Sequence, residues 1–131
     1  MHVDRLVTKS ENWEKLRAKF RWPTPERYNI AEQICERWAR AEPDRHAMTY
    51  MDSDGGLQNF SYGQLSRASS QFANTLRAYG VGRGDRCALL LPQTPETVLT
   101  HLACYKIGAI VVPLFTLFGE DGLQYRLENS G

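Results

Sequence analysis

The sequence predicts an α/β fold: a β-α-β parallel strand unit with flanking helices and an N-terminal β-hairpin. Three observations predict it. A compact apolar run, Cys87–Leu91, is closed by Pro92, and a second run covers Ala109–Phe115. Neither alternates polar with apolar residues, the pattern of a strand covered on both faces. Between them lies a complete helix signature: Thr94 as N-cap, Pro95 at the first helical position, Glu96 against the positive end of the dipole, and Gly108 as C-cap. Val98, Leu99, Leu102 and Ala103 recur at helical spacing, and Lys106 falls in the last turn.

Length and composition bound the rest. The 131 residues fit one domain, with 42% hydrophobic and 24% charged residues, which are ordinary globular values. A formal net charge of +1 gives no electrostatic reason to expect a nucleic acid or an acidic membrane as partner. Cys35, Cys87 and Cys104 are widely spaced in apolar contexts. They make neither a disulfide framework nor a metal-ligand spacing, so a reducing, cytoplasmic location is expected. No apolar stretch reaches transmembrane length.

Taken in order, residues 1–22 read as an N-terminal tail and short helix, and residues 23–131 as the folded subdomain. Residues 1–9 are expected to be a poorly ordered tail. Ser10 is a candidate cap for a helix through Phe20, with Trp13, Leu16 and Phe20 on one stripe that lies on the domain; Asp4, Glu11 and Glu14 argue against an organelle transit peptide. Pro23 and Pro25 end that helix. Asn29 with Glu32 is a capping-box pattern, and Ile30, Ile34, Trp38 and Ala41 then line one helical face that stops before Pro43. Trp38 is expected to anchor the core.

His46–Tyr50 and Leu57–Phe60 read as an antiparallel hairpin around the turn formers of residues 52–56. The aspartates of that turn mimic a calcium loop but lack its later bidentate glutamate, so a solvated turn is expected. His2, His46 and His101 are scattered and read as structural or exposed. Ser61 and Gln64 form a second capping box, opening a long helix whose face is Leu65, Ala68, Phe72, Ala73, Leu76 and Tyr79. The glycines of residues 80–85 follow that helix and precede a strand, whereas a phosphate loop needs the opposite order. They read as a helix cap and a tight connection. After the turn Phe115–Gly119, Gly119-Glu120-Asp121-Gly122 restarts the chain as a helix carrying Leu123 and Leu127, with Asn129-Ser130-Gly131 as its cap.

Several of these segments resemble the AMP-forming adenylating enzymes, the superfamily of acyl-CoA synthetases, peptide-synthetase adenylation domains and firefly luciferase. Phe60-Ser61-Tyr62-Gly63-Gln64-Leu65 resembles the family's first core motif, Thr/Ser-Tyr-x-Glu-Leu, with Gln64 in place of Glu. Tyr105-Lys106-Ile107-Gly108-Ala109-Ile110-Val111-Val112-Pro113-Leu114 is similar to the second, Leu-Lys-x-Gly-Ala-x-x-x-Pro. The stretch from Gly80 to Pro92 resembles the superfamily's usual spacer, and Tyr125–Gly131 the helix that follows the second motif. The lead-ins Tyr28-Asn29-Ile30-Ala31 and Asp44-Arg45-His46-Ala47 resemble those of acetyl- and medium-chain acyl-CoA synthetases rather than of peptide synthetases. The likeness covers about residues 20–131.

The resemblance implies that the chain is an incomplete N-terminal (AMP-binding) subdomain of a longer synthetase. The parent reaction would join a small-molecule carboxylate to AMP from ATP with Mg²⁺, releasing pyrophosphate, and then transfer the acyl group to coenzyme A. The family's Ser/Thr/Gly-rich phosphate loop, its adenine and ribose elements and its catalytic lysine do not occur here, so the 131-residue chain alone is expected to be inactive, with no catalytic or metal-ligating residue and no tight cofactor binding. The turn Phe115–Gly119 matches the place where acetyl-CoA synthetases approach the coenzyme A channel. Thr116 and Leu117 are therefore the candidate contacts, against the alternative that Phe115 and Phe118 close a core beneath the loop. An incomplete sheet implies self-association. The alternative to the synthetase reading is a free-standing α/β binding or interaction module without catalysis.

Overall fold

The computed structural model describes residues 12–22 and 25–131. The tail over residues 1–9 and the Ser10 cap lie outside the described residues. Helix α1, Trp13–Lys19, is capped by Asn12, whose Oδ1 accepts from the Lys15 amide at 3.1 Å. None of its residues is buried, and Trp13 is 70% exposed, so the expected stripe does not seat a helix on the domain.

The next helix departs from the predicted stripe for an identifiable reason. Asn29 Oδ1 does accept from the Glu32 amide at 3.2 Å, but the Glu32 carboxylate turns to Arg40. Residues Glu32–Glu36 form a π-helical turn, in which the Arg37 amide reaches the Glu32 carbonyl, before α2 continues over Arg37–Ala41. The wider i→i+5 turn holds an extra residue and shifts which side chains face inward. Ala31 and Cys35 are buried, whereas Ile30 and Ile34 are 44% and 49% exposed. Trp38 is only half-buried. It is a stacking platform, with the Arg37 and Arg45 guanidiniums 4.8 and 4.3 Å from its ring centroid and Tyr62 at 6.1 Å.

Strands β1 (His46–Met51) and β2 (Leu57–Ser61) pair antiparallel, Thr49 opposite Asn59. Their turn is closed by Asp52, whose Oδ1 accepts from the amides of Asp54 and Gly56 at 3.0 and 2.7 Å. The carboxylate is thus committed to the backbone. Helix α3, Tyr62–Ala78, opens on the reciprocal capping box of Ser61 and Gln64. Leu65, Ser69 and Ala73 are its buried line, with Phe72 and Leu76 packed beside them, while Tyr79 has rotated out to 84% exposure.

Gly80 and Gly84 both adopt positive φ, 86° and 88°, the left-handed geometry that favours glycine. The Gly84 amide donates to the Gly108 carbonyl at 3.0 Å, and the chain enters β3, Arg86–Leu89. Helix α4, Pro95–Ile107, crosses over to β4, Ile110–Pro113, which pairs parallel with β3 in the register Cys87↔Val111 and Ala88↔Val112. The predicted unit is present, shorter at its ends: Leu90 and Leu91 lie beyond the strand and are 46% and 37% exposed.

Only one face of this pair is covered, which corrects the expectation of two. Ala73 of α3 and Ala103, Cys104 and Ile107 of α4 pack on Cys87 and Val111. On the opposite face Arg86 and Ala88 are exposed and Ile110 is 52% exposed. Both helices lie on one side, and α5, Glu120–Ser130, buries no residue. Its end meets the open face through Arg86 Nε, which donates to the carbonyls of Ser130 and Gly131 at 3.1 and 2.9 Å. A second cluster, Ala31, Cys35, Leu65 and Leu102, fills the space between the π turn, α3 and α4.

Lys106, expected merely to sit near the helix end, ties these layers together. Its Nζ donates to the Ser66 carbonyl at 2.8 Å and to Ser70 Oγ at 2.7 Å, and forms an ion pair with Glu36 Oε1 at 2.8 Å. Ser66 Oγ donates to the other Glu36 oxygen at 3.0 Å.

Candidate functional site

The candidate turn stands where β3 and β4 deliver their carboxyl ends, the edge at which open parallel sheets bind ligands. The Leu114 amide donates to the Leu89 carbonyl at 2.8 Å, extending the pairing one residue past β4 and burying Leu114. The chain then reverses, with the Phe118 amide on the Phe115 carbonyl at 3.0 Å. Thr116 and Leu117 form the tip. Both are exposed, Leu117 at 79%.

The alternative in which two phenylalanines close a core does not hold. Phe115 is 59% exposed and meets Phe118 edge to face, with centroids 5.9 Å apart. What steadies the turn is Arg126, which sequence reasoning did not single out. Its guanidinium lies 3.8 Å from the Phe118 ring centroid and donates to the Gly122 carbonyl at 2.8 Å. A Cβ on Gly122 would lie 3.6 Å from both Arg126 Nη1 and Phe118 Cβ, ordinary van der Waals contact, so residue 122 adjoins the stack without having to be glycine. The spacing Phe118, Gly122, Arg126 was the available signal: residues four apart share a helix face. The arrangement can hold a ligand by shape, one hydroxyl and apolar contact. It contains no acid, base or nucleophile.

The other chemistry-bearing side chains are occupied elsewhere. Burial, then the neighbouring Cys87 thiol, pushes Cys104 up to about 12, and burial likewise raises Cys35, so neither is a ready thiolate. His101 Nδ1 lies 2.9 Å from the Thr97 carbonyl, within its own helix. Glu96 is held below the usual carboxylate range by the Thr94 hydroxyl and its own amide, an N-terminal cap arrangement. Among the described residues no three His, Cys, Asp or Glu side chains gather where a metal ion could be held. The residues here therefore do not fit a role in gripping Mg²⁺, and no step of ATP chemistry is assigned to them. No described helix is long and apolar enough to cross a membrane.

With two capped helices, the crossover unit and its exposed turn in place, the class is defined by comparison. The family model described as AMP-binding enzyme matches residues 35–131, and the chain belongs to that family. Over 99% of its length it is 31% identical to the mitochondrial acyl-coenzyme A synthetase ACSM3 of Homo sapiens, and it is 35% identical over 91% to the acetyl-coenzyme A synthetase of Gemmatimonas aurantiaca. It superimposes on the crystal structure of a Brucella canis acyl-CoA synthetase with a TM-score of 0.75 and 36% identity, over 79% of this chain. The chain spans 24%, 18% and 19% of those three proteins, about a quarter or less. The mixed α/β architecture is thus a part of the adenylate-forming fold, and its motifs are those of an AMP-forming synthetase.

Proposed function

We propose that the chain is the N-terminal portion of an AMP-forming acyl-CoA synthetase, with residues 1–22 as lead-in and residues 23–131 as an incomplete AMP-binding subdomain. The observation that carries this reading is the parallel β3–α4–β4 unit lying inside the matched stretch, residues 35–131. The parent would activate a small carboxylate with ATP and Mg²⁺ as acyl-adenylate, then pass the acyl group to coenzyme A. Within it, the residues present here act as scaffold and present the turn. Thr116 and Leu117 are the residues offered to coenzyme A, supported by their exposure at the carboxyl edge of the sheet.

By itself the chain is proposed to be inactive, because adenylation needs clustered cations and metal around developing negative charge. Purified polypeptide given ATP, Mg²⁺, acetate or butyrate and coenzyme A should yield no thioester above a no-protein control. Thioester formation would overturn the inactivity. In the complete synthetase, Leu117→Ser should raise the KM for coenzyme A and leave the ATP–pyrophosphate exchange rate unchanged; equal KM values would remove the turn from the site. The open face of β3–β4, with Ile110 at 52% exposure, supports self-association of the isolated chain, and a monomeric mass by light scattering at high concentration would refute it. A cytoplasmic location stays part of this proposal, and cell fractionation tests it.

A further inference from the structure

On the side of the molecule away from the candidate turn, residues 26–30 pass the C-terminal end of α4 and leave a groove of about 690 Å³. Its lining carries Glu26, Arg27, Tyr28 and Arg83. Neither Arg27 nor Arg83 makes a hydrogen bond or ion pair among the described residues. Lys106 also reaches the lining, but its charge is matched by Glu36 at 2.8 Å. Two of the carbonyls at this helix end are engaged: Asn29 Nδ2 donates to the Tyr105 carbonyl at 2.8 Å and the Gly84 amide to the Gly108 carbonyl at 3.0 Å. The Arg83 stem lies across Gly108, where an added Cβ would come within 3.2 Å of Arg83 Cγ. Glycine there both accepts a φ of 77° and lets the guanidinium stand in the groove. A smaller hollow of about 180 Å³ continues from Tyr28 past Gly108 and is walled by Ile30, Tyr105 and Ala109.

We propose that this groove binds a small organic phosphate monoester, its phosphate between Arg27 and Arg83 and its apolar body along Tyr28 toward Ile30 and Ala109. Two guanidiniums with no hydrogen bond or ion pair among the described residues match a dianion in charge and in forked donor geometry, which a single carboxylate matches less well. Glu26 accepts from a hydroxyl on the body. The site takes no part in acyl activation and stands independently of the synthetase reading.

Phenyl phosphate is the probe, titrated against the purified chain with the tyrosine rings labelled with carbon-13 and read by NMR. The Tyr28 ring signal should move and saturate with a dissociation constant in the millimolar range or below. Arg27→Gln and Arg83→Gln should each weaken binding about tenfold, the loss expected for one charge-assisted contact. Arg83→Lys should lose less, because the charge remains. Both arginines are exposed, so the variants should keep the wild-type melting temperature. An unmoved Tyr28 signal, or equal affinity in wild type and both glutamine variants, overturns the proposal. Phenol binding as well as phenyl phosphate removes the phosphate contact, and inorganic phosphate binding as well removes the apolar one.

Discussion

The α3–α4 interface and the Phe115–Gly131 end of the chain are built on opposite terms. In the first, Leu65, Ala73, Leu102, Ala103 and Cys104 are 5% exposed or less, and a lysine is surrounded by three oxygen partners. In the second, Phe115, Leu117, Tyr125 and Leu127 are 46–79% exposed and the helix touches the sheet through one arginine and two carbonyls. The first region holds itself together. The second is positioned rather than packed.

Substitutions sharpen that contrast in order of expected size. Leu102→Ala in the packed region should cost about 3 kcal/mol by urea unfolding, the transfer term plus an unfilled cavity. A loss near zero would mean that the interface is loose. Lys106→Met should cost about 2 kcal/mol, since it strands Glu36 beside a hydrophobic helix; the pair is only partly buried, with side-chain exposures of 13% and 23%, so the loss stays below that of a fully buried bridge. Combining it with Glu36→Met should recover part of the loss, and strict additivity would deny the coupling.

Alkali offers a third probe of the packed region. The unfolded thiol of Cys104 ionises near 9.0, the folded one only near about 12. Between those values the unfolded state holds fewer protons, so stability falls as pH rises. The slope of unfolding free energy against pH above 9 should be shallower in Cys104→Ala than in the wild type. Ser61→Ala should remove about 1 kcal/mol by deleting one half of the capping box. At the exposed end, Leu117→Ser should change stability by less than about 0.5 kcal/mol. A larger loss there would erase the distinction between the two regions.

The packed region was also the legible one. Ser61 with Gln64, Pro95, and Gly108 state helix ends in the local chemistry of a few residues, and the structure honours each. The parallel pairing followed from two apolar runs bracketing one helix. What could not be read was which sides stay bare. A buried strand and a half-buried strand of four residues look alike when both are apolar, and the cover for one face depends on helices placed by the whole fold. Trp38 misled for a related reason: large aromatic residues default to the interior, yet two arginines supplied it with a wet lining. Arg126 escaped notice because its partner Phe118 stands before the helix, where a search for helical faces does not begin. The family motifs were visible because they encode scaffold, whose demands are local. The candidate residues Thr116 and Leu117 were proposed from likeness alone.

The wide turn at Glu32–Glu36 gives the chain a built-in phase change. A regular helix advances about 100° per residue, so one surplus residue swings everything downstream by that angle without moving the axis far. Removing a single amino acid between positions 32 and 36 would undo the swing while leaving Asn29 anchored on the Tyr105 carbonyl. Trp38 would then turn away from Tyr62, and Arg40 would part from Glu32. The bulge acts as a gear tooth that sets how the front of the chain meshes with the body behind it.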